Sequence, residues 1–150
     1  MMRSKRFEPI QEIAANSATE LSRAMGEAGR RVTDLETQLV QLKKFRDEYA
    51  VDSTAAGGSI DSSKLQNYRS FLTRLGDALR LHLVKLEKAR AEYERRRLLW
   101  SAKRIEVESL GRVIERFRKE ELYVAEQREQ HEEDDAAMRI SLAHAEAGKR

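Results

Sequence analysis

Apolar residues recur at alternating steps of four and three along two long stretches of this chain, and a single Gly-Gly pair separates them. The first stretch carries Leu21, Met25, Ala28, Val32, Leu35, Leu39, Leu42, Arg46 and Tyr49, and extends back through Ala18, Ala14 and Gln11 to Phe7. The second runs from Leu65 through Tyr68, Leu72, Leu75, Leu79, His82, Leu86, Ala89, Tyr93, Arg96, Trp100, Lys103, Val107, Leu110, Ile114 and Phe117 to Glu121 and Val124. This is the a/d rhythm of a left-handed coiled coil, in which two positions of every heptad turn toward a partner helix. A disordered chain of similar polarity keeps no such register.

The expected fold is therefore all-α. Two long helices form an antiparallel coiled-coil hairpin, and the second helix is the longer. Pro9 suits the first turn of a helix, where its missing N–H costs nothing. Residues 50–61 hold Gly57-Gly58 and the densest cluster of small polar residues, and they predict the loop. Ser63 with Gln66 has the spacing of a capping box for the helix that follows. The predicted elements are a helix from about Pro9 to Tyr49, a loop over 50–61 and a helix from about Ser62 to Ala143, in one domain spanning 1–150.

Folding at the loop pairs residues whose numbers add to 114. Leu42 then meets Leu72, Leu35 meets Leu79, Ala28 meets Leu86, Ala14 meets Trp100 and Phe7 meets Val107. At 1.5 Å per residue the second helix would be about 120 Å long and the first about 60 Å. In this register the second helix lacks a partner beyond roughly Val107, so Leu110, Ile114 and Phe117 are expected to be exposed in the monomer. An unpaired apolar stripe is an expected interaction site. Glycines 26, 29, 76 and 111 fall inside the helices and mark either tolerated positions or close approaches.

Composition fits this picture: 37% of the residues are charged, 6% are aromatic, and there is one proline and no cysteine. Disulfide and thiolate chemistry are thereby absent, as in a reducing cytoplasm. No apolar run reaches the roughly 20 residues of a membrane span. The basic N-terminal residues lead into no secretory signal, so a cytoplasmic location is expected.

The search for chemistry yields none. His82, His131 and His144 have no ligand spacing, and His82 occupies a d position, where a core-edge role outweighs a metal. Gly57-Gly58 lacks the lysine of a phosphate loop. No serine lies near a histidine that could act as its base. A two-helix rod offers no pocket that could desolvate paired carboxylates. The expectation is a non-enzyme with no metal and no cofactor.

Charge is segregated along the second helix. Residues 85–104 hold eight basic and three acidic side chains, net +5, whereas residues 120–135 hold eight acidic and one basic, net −7. Such segregation suits a protein partner of complementary charge. The small overall charge of +3 and the acidic end argue against nucleic acid.

Five stretches in order around the loop resemble the flagellar export protein FliJ family. They are Arg6-Phe7-Glu8-Pro9-Ile10, LETQLVQLKKFRDEY, LQNYRSFLTRLGDALRLH, RRRLLWSAKRIEVESL and EQREQHEEDDAAMR. Asp135 stands where the family's tail usually has Glu, and Phe45 where Tyr is common. The resemblance implies a cytoplasmic component of the flagellar type III export apparatus, held at the inner membrane through its partners only. It implies a stalk whose terminal end enters the hexameric export ATPase and whose loop end faces the cytoplasmic domain of the export gate. It also implies a chaperone or escort role, with export chaperones among the partners. Matched by motif, the gate-facing surface would be Gln38, Leu42, Phe45, Tyr49, Phe71, Leu75, Ala78 and His82. The heptads place Leu42, Tyr49, Leu75 and His82 in the seam, and leave Gln38, Phe45, Phe71 and Ala78 outside it. The expected ATPase contacts are Phe7, Leu110, Ile114, Phe117 and Val124. The alternatives are the related stalk of a virulence-type secretion system and a generic coiled-coil scaffold.

Overall fold

The computed structural model describes residues 2–55 and 62–149. They form two helices, α1 (Arg3–Ala55) and α2 (Ser62–Gly148). The helices pack antiparallel, and α2 is the longer. Among the described residues the buried apolar ones, Ala14, Leu35, Leu39, Leu75, Leu79, Leu86 and Ile114, all belong to the 4-3 seam.

Both helices outrun their sequence-based limits. α1 continues past Tyr49 to Ala55, because Ala50-Val51-Asp52-Ser53-Thr54-Ala55 contains no glycine or proline and its weak helix formers cost only tenths of a kcal/mol each, about 0.7 at most. The remainder of the expected loop, residues 56–61 with Gly57-Gly58, lies outside the described residues. α2 passes Ala143 to Gly148, since Ala143-His144-Ala145-Glu146-Ala147 offers no breaker either.

At its other end α1 begins six residues before Pro9, which therefore sits inside the helix. Proline there removes one backbone bond and crowds the carbonyl four residues back. Contacts from α2, described below, hold the residues ahead of it helical.

The chain forms two compact units. Unit 2 comprises residues 18–102. Its core is the cluster of Leu35, Leu39, Leu79 and Leu86, with Val32, Leu42 and Ala89 packed against it. Fully burying one such side chain contributes about 1.5–3 kcal/mol. His82 is buried in the same seam at 8% exposure, deeper than the core-edge place expected of it. Its Nε2 lies 2.7 Å from the Leu35 carbonyl oxygen. That oxygen can only accept, so Nε2 carries the proton and donates. A seam imidazole is thus satisfied by backbone, with no metal required.

Pairing within unit 2 differs from the register in which residue numbers add to 114. A Cβ built at Gly29 would lie 3.3 Å from the ring of Tyr93, where Lys85 was expected to stand. Glu36 bonds Arg90 at 3.1 Å. Contacts across unit 2 lie further along α2 than that register, by two residues for Phe45 with Phe71, three for Leu35 with His82, eight for Gly29 with Tyr93 and twelve for Glu36 with Arg90. The seam repeats along both helices, so apolar spacing alone does not fix which residues meet. Groups that do not repeat every seven residues decide it: a glycine under a tyrosine and an acid beside an arginine.

Unit 1 comprises residues 1–17 and 103–150. The partners are displaced in the same direction there. Phe7 packs against Phe117, ring centroids 5.4 Å apart, instead of against Val107. A Cβ at Gly111 would lie 3.0 Å from Gln11 Nε2. Ile114 is buried at 3% exposure, and Leu110 and Phe117 are half-buried. The expectation that these three are exposed is thus corrected. The early start of α1 and the shifted register bring its first turns over them. Beyond Glu121 every described residue of α2 is exposed, so the unpartnered stretch begins there and not at Val107.

Candidate partner-binding surfaces

The first surface lies in unit 2 near the end of α1. Phe45 sits one position outside the seam and remains 51% exposed. Phe71 is half-buried because Tyr49 draws it in, at 4.4 Å between centroids. Phe45 meets Phe71 edge-on at 6.1 Å, and Tyr49 stacks on Tyr68 at 5.3 Å. Edge and offset geometries of this kind add about 0.5–1.5 kcal/mol per pair beyond area burial. The four rings form one cluster with Phe45 at its rim, so Phe71 acts mainly as packing and Phe45 stays available.

One helical turn further from the loop, Gln38, Gln41, Leu42, Phe45 and His82 line a shallow groove. Four of the eight residues matched by motif thus converge on a single concavity. Gln38 and Ala78 are exposed, Leu42 and Tyr49 are half-buried, and Leu75 is buried. Leu75 therefore shapes the surface from beneath. The motif comparison missed Gln41, which lies three residues from Gln38 on the same helix face. It also missed Tyr68, which lies three residues before Phe71. Helical spacing was the signal for both.

The second surface lies in unit 1. α1 opens with Arg3, Ser4, Lys5 and Arg6 and has no acid in its first turn, although the positive end of a helix dipole favours one. Glu121 of α2 supplies it. Its Oε1 accepts the Ser4 backbone N–H at 3.0 Å, and its Oε2 accepts the Ser4 hydroxyl at 2.6 Å. These bonds, with a smaller one from the Arg3 backbone, hold the Glu121 carboxyl below its ordinary range. Alongside, Arg118 bonds Glu8 at 2.7 Å, and the Arg3 guanidinium lies 5.8 Å from the centre of the Phe117 ring. Met2, Arg3, Phe117, Glu120, Glu121 and Val124 line a groove here. Of the five expected ATPase contacts, Phe7, Leu110, Ile114 and Phe117 take part in packing, and only Val124 is freely exposed.

The basic stretch of α2 is largely self-paired. Glu92 bonds both Arg95 and Arg96 at 2.7 Å, which holds its carboxyl down at about 2, and Arg97 bonds Glu94 at 2.6 Å. Exposed pairs of this kind contribute little stability, about 0–1 kcal/mol. They do hold long side chains in place. Among the described residues there is no cluster of metal-ligand type and no helix long and apolar enough to cross a membrane.

Comparison with known proteins bears on the whole chain. The model of the family described as Flagellar FliJ protein matches residues 3–146. A curated relative, the flagellar FliJ protein of Salmonella typhi, is 23% identical over 141 residues, covering 93% of this chain and 96% of the relative. No solved structure matches it.

Proposed function

This chain belongs to the flagellar FliJ protein family, and on that premise we propose that it is the non-catalytic coiled-coil stalk of a flagellar export apparatus. Unit 1 presents the surface that enters the ring of the hexameric export ATPase. Unit 2 presents the surface that meets the cytoplasmic domain of the export gate, and the same exposed helices escort export chaperones. The protein reaches the inner membrane through these partners alone.

One observation carries this reading: Gln38, Leu42, Phe45 and His82, matched to the family by motif, line one groove in unit 2. Phe45 is a half-exposed aromatic held on a packed helix, the kind of anchor that dominates interface energies. On the ATPase side the supporting feature is the exposed helix beyond Glu121, beginning with Leu122, Tyr123 and Val124.

The test is a pair of binding titrations with the purified full-length chain carrying Gln38→Ala and Phe45→Ala. Both residues are exposed, so the melting temperature should fall by no more than loss of the Phe45–Phe71 ring contact brings. Affinity for the gate domain should fall about tenfold or more, as for an aromatic hot spot, while binding to the export ATPase is unchanged. Undiminished gate binding would remove this groove from the interface. Equal losses for both partners would mean that the substitutions act through folding.

A further inference from the structure

Two alanines open a further groove within unit 2. Ala28 of α1 and Ala89 of α2 both occupy the seam, and a methyl group from each side leaves a hollow that larger side chains would have filled. The hollow has a volume of about 330 Å³, and Arg31, Lys85, Lys88 and Glu92 complete its lining. Ala28 and Ala89 are half-buried and form the floor, while the three cations are exposed at the rim. None of these residues lines the groove of Gln38 and Phe45.

The charges around this hollow do not balance. Its one acid, Glu92, is taken by Arg95 and Arg96, each at 2.7 Å. Glu36, the acid that reaches across the helices nearby, is taken by Arg90. Among the described residues no ion pair engages Arg31, Lys85 or Lys88. Three cations supplied by two helices around one partly apolar concavity focus a positive potential there, which attracts an anion.

The form of that anion follows from the side chains. Lys85 and Lys88 are three residues apart, so they rise from one face of α2 with Cβ atoms about 5–6 Å apart. Arg31 comes from α1, and its planar guanidinium can hold both oxygens of a carboxylate. The alanine floor suits the methylene stem of a glutamate. A nucleic-acid backbone suits the groove less. Glu27 and Asp34 lie four residues before and three after Arg31, Glu87 lies between Lys85 and Lys88, and all three acids are exposed. A duplex strand carries a charge about every 3.4 Å and would have to cross them. Separate carboxylates need not. We propose that this groove binds an acidic helix of a partner protein, with carboxylates three or four residues apart held by Arg31, Lys85 and Lys88.

A titration tests this. The probe is a fluorescent helical peptide of alanine with glutamate at every third or fourth position, added to the full-length chain at low salt and followed by anisotropy. The natural chain should bind it. A variant with Arg31→Gln, Lys85→Gln and Lys88→Gln should bind at least about tenfold more weakly. A second variant loses the same charge in unit 1, through Arg112→Gln, Arg116→Gln and Lys119→Gln, all at exposed positions. It should bind like the natural chain, and so should Phe45→Ala, which separates this groove from the surface assigned to the export gate. Circular dichroism verifies that the helices persist in each variant. The proposal is overturned if the natural chain does not bind the peptide, or if both triple variants lose affinity equally, since net charge alone would then account for binding. It is equally overturned if a single-stranded DNA of the same charge binds as tightly and is lost with the same three residues, which would assign the groove to nucleic acid.

Discussion

Glu121 does for α1 what a helix usually does for itself. The first turn of a helix leaves backbone N–H groups without partners, and a local Ser, Asp or Glu ordinarily takes one of them. Here the first residues of α1 are basic, and the carboxylate arrives from the partner helix, 117 positions away in sequence. This residue accounts for a helix that starts before Pro9 and for the covered state of Phe117. The linkage has a definite sign. Because Glu121 is held below its ordinary range in the folded chain, it stabilises the fold above that range, and the contribution is lost as pH falls through its lowered folded value. The Glu121→Gln variant should therefore melt below the natural chain at neutral pH. The gap should close on acidification, since both chains then carry a neutral group there. Thermal melts across acid pH, followed by circular dichroism, measure this. A gap independent of pH would assign the loss to geometry and not to charge.

At the level of the helices the decisive quantity is register. The 4-3 steps of α1 and α2 predict partners only to within a heptad, and the structure selects the register in which Gly29 lies under Tyr93. Glycine at that position removes the side chain that would meet the tyrosine ring, and Gly111 does the same for Gln11; these two are close approaches. Gly26 has no neighbour within 4 Å and is simply tolerated. The chain has no cysteine, so introduced pairs report register cleanly. Cysteines at Ala28 and Ala89, which line one groove and share the offset of Leu35 with His82, should cross-link within one chain under mild oxidation faster than cysteines at Ala28 and Leu86. The opposite result would restore the pairing in which numbers add to 114 and would leave the contact of Phe7 with Phe117 unexplained.

For the molecule as a whole, pairing stops at Glu121, and that limit is measurable. Backbone amides of α2 in the buried seam, around Leu79, Leu86 and Ile114, should be protected from hydrogen exchange. Those between Leu122 and Gly148 should exchange fast in the free protein, because an isolated helix without packing is marginal in water. Addition of the export ATPase should slow exchange there, where the proposed ring-facing surface lies. Protection of 122–148 in a verified monomer would contradict the boundary drawn at Glu121.

Much of this was legible in the residues themselves. The heptad seam predicts two helices, their antiparallel pairing and the greater length of the second, because an apolar residue every three or four positions has one favourable way to leave water. It also picks out most of the buried residues, His82 among them, but not Ser4, and it left Ile114 exposed. The motif match names eight residues, and four of them, Gln38, Leu42, Phe45 and His82, line one groove. The sequence could not choose among registers a few residues apart, since each buries the same seam. Nor could it say that Phe71 turns inward to Tyr49 while Phe45 does not, or that Glu121 crosses to cap a helix 117 residues earlier. Those outcomes depend on specific contacts between distant residues, a ring over a glycine and a carboxylate on a free N–H, and such contacts exist only once the two helices lie together.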